Sequence, residues 1–366
     1  MSFEKGSVSF RMFYVLKALP SDAVERFAEH AAPPLNSLTD GVIHGWVSGR
    51  HLRDRVITQQ NAYYGGFLRL QLVLAERKIP ATLLKTECEM EELALMESTG
   101  QKFLTRAAKK DIKAAVVARL LPTMPPHLKG FPFVYDEREG ILYASTLTDK
   151  QMDVFNAYFA QTLGFNLVAV SPETAAMHRL HANVREWAAS SFSPMVPDTE
   201  AMLDVGEEFL TWLWFYSEAR GGLFKHDDLG EFAVMIDGPL NFVNEGGAAQ
   251  NVVVRQGEPR LCVETKSALL GGKKLKQAKL TLAQGDAVWS CTFSASGFVV
   301  RSLKLPASPK MDSVSLFQER INHLSLFHGA LMGLFDVYVR ERNDASSWSS
   351  TVNELHDWVS ERKVRN

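Results

Sequence analysis

Apolar positions along the chain fall into short alternating or continuous runs, separated by longer stretches with a helical period. Val8 to Leu19, with Phe10, Phe13, Tyr14 and Val15, reads as a strand. After Pro20, Ser21 is the expected N-cap of a short helix through Ala32, which Pro33-Pro34 ends. Gly41 to Val47 and Gly66 to Leu74 read as further strands, the second largely buried because Phe67, Leu68, Leu70, Leu72 and Leu74 crowd it. Pro80 opens a helical region that runs to Leu121. A proline-rich loop follows, and then a hairpin in which Phe133-Val134-Tyr135 and Ile141-Leu142-Tyr143 flank a turn. Asp149 to Leu163 reads as a helix closed by Gly164, with a return strand at Asn166 to Val170.

The remainder predicts a helix over Glu200 to Ala219. Strands are expected at Phe232 to Ile236, Leu240 to Val243, Asn251 to Val254, Leu275 to Leu282, Ala287 to Phe293 and Val299 to Leu305. Val314 to Arg342 is a long amphipathic helix with Leu316, Ile321, Leu324, Phe327, Leu331 and Leu334 on its apolar side; Trp348 to Arg365 predicts a last short one. The expected class is α+β in three parts. Residues 1–78, with a return strand in 166–190, form a central unit; 79–165 form a helical tip; 191–366 form a larger C-terminal α+β domain.

Charge adds a functional clue inside the tip. Lys102, Arg106, Lys109, Lys110 and Lys113 recur at helical spacing along one face, and only Asp111 interrupts them. Leu104, Ala108, Ile112, Ala115, Val116 and Leu120 share the other face. The preceding segment carries Glu87, Glu89, Glu91, Glu92 and Glu97 with no base among them. Two readings stay open: a phosphate-facing surface, or a solvated face neutralised by its acidic neighbour. A second cluster, Lys273, Lys274, Lys276 and Lys279, follows Gly271-Gly272, and an edge strand guarded by lysines would explain it equally.

The whole chain is 46% hydrophobic and 22% charged with a net charge of -2, which excludes a uniformly basic binder but not a basic patch. Cys88, Cys262 and Cys291 are few and scattered, so neither a disulfide framework nor a cysteine zinc site is indicated. The N-terminus has no signal-peptide core, and Phe209 to Tyr216 is too short to span a bilayer. A cytoplasmic setting without membrane contact is expected.

Nucleotide-binding, hydrolase and zinc-protease signatures are absent from the sequence. His178 and His181 lack acidic neighbours at ligand spacing; His226-Asp227-Asp228 fits a polar turn as well as an oxygen site. Asp237 followed by Glu264-Thr265-Lys266 matches the loose pattern of a metal-dependent nuclease core, although Val263 to Leu270 reads as a helix start. No cofactor or metal is otherwise expected.

The order of residues resembles the recombination-associated protein RdgC family. The resemblance rests on Ser9-Phe10-Arg11-Met12-Phe13-Tyr14, Gly45-Trp46-Val47, Arg77-Lys78-Ile79-Pro80, Arg119-Leu120-Leu121-Pro122, Tyr135-Asp136 and Gly140-Ile141-Leu142. It continues through Glu264 to Lys273, Lys279-Leu280-Thr281-Leu282 and Trp289, while Gly206 to Trp214 resembles a branch with an enlarged domain. It implies a nucleoid-associated homodimer that closes into a ring around duplex DNA, needs no cofactor and restrains the recombinase that forms filaments on DNA. The exonuclease label attached to the family corresponds to Asp237, Glu264 and Lys266. Where better-known members carry an Arg and then a gate Phe, this chain has Thr123 and Pro125, so the resemblance does not extend to a finger there. His127 and Lys129 keep polar character nearby. Duplex DNA is therefore the expected ligand, met without sequence preference by Lys102, Arg106, Lys109, Lys110, Lys113, Lys129, Lys273, Lys274 and Lys276.

Overall fold

The computed structural model describes residues 3–38, 41–198, 204–243, 251–255, 258 and 261–362. The N-terminal half runs β1 (Val8–Tyr14), α1 (Ala23–Glu29), β2 (Val42–Ser48), α2 (Gln59–Ala62), β3 (Tyr63–Tyr64) and β4 (Phe67–Arg77). It continues α3 (Ala81–Thr99), α4 (Arg106–Leu120), β5 (Pro126–Asp136), β6 (Ile141–Ala144), α5 (Asp149–Leu163), β7 (Val168–Ala169) and α6 (Pro172–Leu180). Then come α7 (Val205–Ala219), β8 (Leu223–His226), β9 (Gly230–Val243), β10 (Val252–Val254), α8 (Val263–Leu270), β11 (Lys274–Gln284), β12 (Ala287–Ser294) and β13 (Val299–Lys304). The chain ends on α9 (Ser313–Asn343) and α10 (Ala345–Ser360). The class is α+β.

Among the described residues thirteen strands join one sheet in the order β10-β9-β11-β12-β13-β1-β6-β5-β4-β2, with β3, β7 and β8 attached to β4, β1 and β9. Every pairing is antiparallel apart from an isolated parallel bridge between Ala31 and Trp46. The join between the halves is β1, which pairs with β13 through Val8 and Phe10 and with β6 through Arg11 to Tyr14.

Alternation along the strands separates two cores. Phe13, Leu68, Leu70, Leu72 and Phe133 pack with Trp46, Phe27, Phe155 and Phe159 beneath α1 and α5. The Trp46 indole donates to Thr162 Oγ1 at 2.7 Å, which satisfies its one polar atom inside that core. Phe10, Met12 and Tyr14 point the other way, into a larger core built with α7 and α9. On α7 every residue from Val205 to Phe215 is buried, including the polar Glu207, Glu208 and Thr211. Among the described residues no helix is long and apolar enough to cross a membrane.

Several sequence expectations shift by physical cause. The first strand stops at Tyr14, and α1 starts after Asp22, not Ser21, with no side-chain cap. The two strands expected between Phe232 and Val243 are one, β9, bent by irregular register against β11. β8 was not expected; it pairs with β9 across the His226-Asp227-Asp228 turn, where His226 Nδ1 accepts from the amides of Asp228 and Leu229. β11 lies between β9 and β12, so its lysines do not guard an edge.

A buried carboxylate ties the larger core together. Glu208, on α7, is fully buried and accepts from Lys274 Nζ at 3.2 Å, Tyr338 Oη at 2.8 Å and Arg342 Nε at 2.7 Å. Arg342 is flanked by the Trp187 and Trp348 rings at 5.1 and 4.6 Å. Burial and the Glu208 charge push the Tyr338 phenol well above its ordinary pKa, which keeps it a donor. Glu208→Ala strands two buried cations and should cost about 3–5 kcal/mol, read as a lower denaturant midpoint; an unchanged midpoint would refute this role.

His328, on α9, supplies a pH dependence. Burial, and then the nearby Arg179 charge, lower its pKa from 6.5 to about 4, while Nδ1 sits 3.3 Å from the Tyr143 hydroxyl. The unfolded chain therefore binds the proton first as pH falls below 6.5. Stability conferred by the neutral ring is present above that value and is lost towards pH 4, on the order of 3 kcal/mol in all. Equilibrium unfolding of His328→Gln between pH 7 and 4 should show a flatter decline than the parent; parallel curves would contradict the assignment.

Candidate nucleic-acid interface

The helical tip is the connection between two neighbouring strands. β4 and β5 pair from Leu68 with Tyr135 to Arg77 with Pro126, and α3 and α4 fill the excursion between them. Arg77 fastens the root: Nε donates to the Leu38 carbonyl at 3.0 Å and a second nitrogen to the Met124 carbonyl. Gly100, at φ +65°, ends α3, and Thr105 caps α4 by accepting from the Ala108 amide at 3.2 Å. The helix thus begins at Arg106, and Lys102 lies on the turn before it. Val116 is buried and Leu104, Ala108, Ile112 and Leu120 are half-buried, whereas Ala115, expected on the apolar face, is exposed.

The neutralising reading of the basic face is realised on one flank. The acidic helix α3 packs alongside and takes Lys109 through Glu92 at 2.7 Å and Arg119 through Glu87 and Glu91 at 2.9 and 3.2 Å. Lys102, Arg106, Lys110 and Lys113 are exposed and have no carboxylate partner among the described residues. Exposed pairs of this kind contribute only about 0–1 kcal/mol each, so the acidic helix neutralises one flank of α4 without consuming the rest. Lys129 is exposed on β5, its amine 5.3 Å from the Phe131 ring, and pairs in register with Leu74.

The second cluster divides. Lys274 is 1% exposed, bonded to Glu208 and set 4.9 Å over the Phe192 ring, so it is removed from any DNA-facing surface. The reason lies in the pairing with β9: the register of β11 slips between Leu275 and Gln277 and again before Lys279, which breaks the simple alternation of Lys274 with Lys276. Lys276 is exposed, and Lys273 is half-buried in the turn after α8. Past the slip, Leu280 and Leu282 face the core, and Lys279 and Thr281 face away from it.

That outward face was not singled out in the sequence. Register places Asp237, Lys279, Thr292 and Arg301 in one row across β9, β11, β12 and β13, with Met235, Thr281, Ser290 and Lys304 in the next. These side chains are half-buried or exposed, and the face is rich in hydroxyls and bases. Period-two alternation of Lys279, Thr281 and of Ser290, Thr292, Ser294 was the available signal. A basic loop after β2, with Arg50, Arg53 and Arg55, was also overlooked because no long element carries it.

The carboxylate–lysine trio is spread over different elements. Asp237 lies within β9, and its Oδ1 accepts from the Gly238 amide at 2.8 Å. Glu264 and Lys266 belong to α8, where Glu264 is exposed. The Lys266 amine donates to the carbonyls of Ser360 and Arg362, both at 3.0 Å, and so satisfies the C-terminal end of α10. Among the described residues no group of three His, Cys, Asp or Glu is placed to hold a metal ion. His178 stacks against Tyr14 with ring centroids 4.2 Å apart.

A mixed sheet-and-helix protein with a charge-separated helical tip is the class these features define. The sequence profile of the family described as "Putative exonuclease, RdgC" matches residues 8–200, just over half of the chain, and the chain belongs to that family. No curated protein matches the chain closely enough to count as a relative.

The Lys266 contacts give a direct test. Lys266→Met should leave the last turn of α10 with unsatisfied carbonyls, at a cost of about 1–2 kcal/mol, and raise amide exchange around Ser360. Unchanged exchange there would show that the amine is not tied to the helix end.

Proposed function

We propose that this protein binds duplex DNA without reading sequence, as a ring-like homodimer in the cytoplasm and nucleoid, and modulates recombination by restraining recombinase filaments. The observation that carries the reading is the set of exposed cations on and before α4, namely Lys102, Arg106, Lys110 and Lys113, without carboxylate partners among the described residues. Lysine and arginine on a helix surface exchange with the counterions condensed on a phosphate backbone, an attraction indifferent to base sequence. Lys129, Lys273, Lys276 and the Lys279–Arg301–Lys304 sheet face extend the same chemistry; Lys274 does not.

Homodimer closure at the tip draws support from its surface. Phe103, Met90 and Leu93 are 86%, 60% and 57% exposed on α3 and the turn that follows it. Large apolar side chains gathered on one projecting element favour a protein contact over permanent exposure to water. The protein acts here as a binder, and the Asp237, Glu264 and Lys266 nuclease reading, which the family description keeps in view, is its rival.

Fluorescence anisotropy of a labelled random duplex, repeated across salt concentrations, tests this. Wild-type protein should bind with log affinity falling steeply against log salt, by about 0.9 per phosphate contact. Lys110→Gln/Lys113→Gln should weaken binding at least tenfold and reduce the slope by about 2. Lys109→Gln should do less, because Glu92 already shares that charge. Binding that is absent at low salt, or unmoved by the double variant, would overturn the proposal. Mg²⁺-dependent cleavage abolished by Glu264→Ala would turn it to the nuclease.

A further inference from the structure

The two helices of the tip meet with little apolar core between them. On α3 no residue is buried, and on α4 only Val116 is. Carboxylates line the seam instead. Glu87 and Glu92 keep 25% and 21% of their side-chain surface open, against 58% for Glu89 on the same helix. Glu92 reaches Lys109 across the seam, and Glu87 and Glu91 fork onto Arg119.

The two contacts stand differently to the free cations. Lys109 lies three residues from Arg106 and four from Lys113, so it adjoins both on the α4 surface. Arg119, six residues beyond Lys113, stands about 120° round the helix from it. The fork on Arg119 therefore fastens α3 away from the basic face, while Glu92 takes a cation that belongs to that face. Even when paired, the Lys109 side chain keeps 52% of its surface open, so a second anion can reach it without the helices parting. A carboxylate and a phosphodiester offer the ammonium the same kind of acceptor, and an exposed pair shifts an equilibrium by no more than about fivefold.

We propose that Glu92 and Lys109 form an internal attenuator of DNA binding, in which the α3 carboxylate holds a phosphate ligand until duplex displaces it. The proposal rests on the α4 reading and adds regulation to it. Glu92 competes with phosphate for one ammonium, so each binding event gives up that pair. When the duplex leaves, the carboxylate takes the ammonium back. Lys110 and Lys113 are spared this competition because no carboxylate among the described residues pairs with them. Affinity is thereby lowered without removing any cation from the face.

The test is duplex anisotropy on the full chain, with Glu92→Gln placed in two backgrounds. Glutamine keeps the side-chain volume and removes the charge. In the otherwise wild-type protein Glu92→Gln should tighten binding about two- to fivefold. In a Lys109→Gln background it should change affinity no more than Glu89→Gln does. Glu89 is the control for the general field, since it stands on the same helix and pairs with Lys85 at 3.7 Å. An equal gain in both backgrounds would mean that Glu92 acts through the field alone and would overturn the proposal, as would no gain in the first. Amide exchange along α3 should stay as in the wild type, because the Arg119 fork remains; lost protection there would mark the pair as a structural tie and overturn the attenuator equally. Wild-type protein that binds no duplex at low salt would overturn the α4 reading and this one with it. Binding that falls in Lys110→Gln/Lys113→Gln without any coupling of Glu92 to Lys109 would overturn this one alone.

Discussion

One short strand decides the architecture. β1 has both edges occupied, by β13 and β7 on one side and β6 on the other, and both faces buried. Seven residues therefore fix how residues from the two ends of the chain meet, because a slip of one residue would send Phe10 and Met12 into the α1/α5 core and Phe13 out of it. Everything on the sheet inherits that register. The tip springs from β5 and β4, two and three strands from β1 along one direction, and the hydroxyl-rich face lies along the other.

Against this frame, the placement of charge follows from desolvation. Glu208 is accommodated in the core because Lys274, Arg342 and Tyr338 all reach it; removing part of that set would leave a buried group unpaired at a cost of several kcal/mol. The α3–α4 pairs face no such constraint. They sit in water, where a pair contributes little, so Lys109 and Arg119 can be drawn to carboxylates while their neighbours are left without. A near-zero net charge and a locally positive surface coexist because, within the tip, the acids sit on α3 and the unpaired bases on and before α4.

Where element type was set by local periodicity, the sequence was a sufficient guide. The long helix α9 needed only the spacing of Leu324, Phe327, Leu331 and Leu334, and the buried strand β4 only its run of leucines. The neutralising role of α3 was also legible, since Glu87, Glu91 and Glu92 stand without bases. Side-chain direction in β11 was not. Alternation predicted that Lys274 and Lys276 share a face, but register slips caused by pairing with β9 put Lys274 in the core. Such slips, an extra residue in β11 at the first and extra residues in β9 at the second, arise in the pairing of the two strands and do not show in the spacing of the lysines. The same holds for the groove beside β2, lined by residues 32–36, 43, 52, 53, 55, 73 and 75, where Gly130 lets Leu52 down onto the sheet.

The two arginine- and lysine-bearing surfaces differ in what they ask of a ligand. On α4 the cations are mobile side chains on a convex helix, suited to a phosphate backbone that offers many equivalent contacts and demands no exact position. After β2, the Ser48–Asp54 hydrogen bonds hold the backbone that carries Arg53 and Arg55. Preorganisation of this sort gains nothing for a diffuse electrostatic partner, which pays little entropy to bind. It gains most for a ligand whose charges and apolar group must be met at fixed spacing.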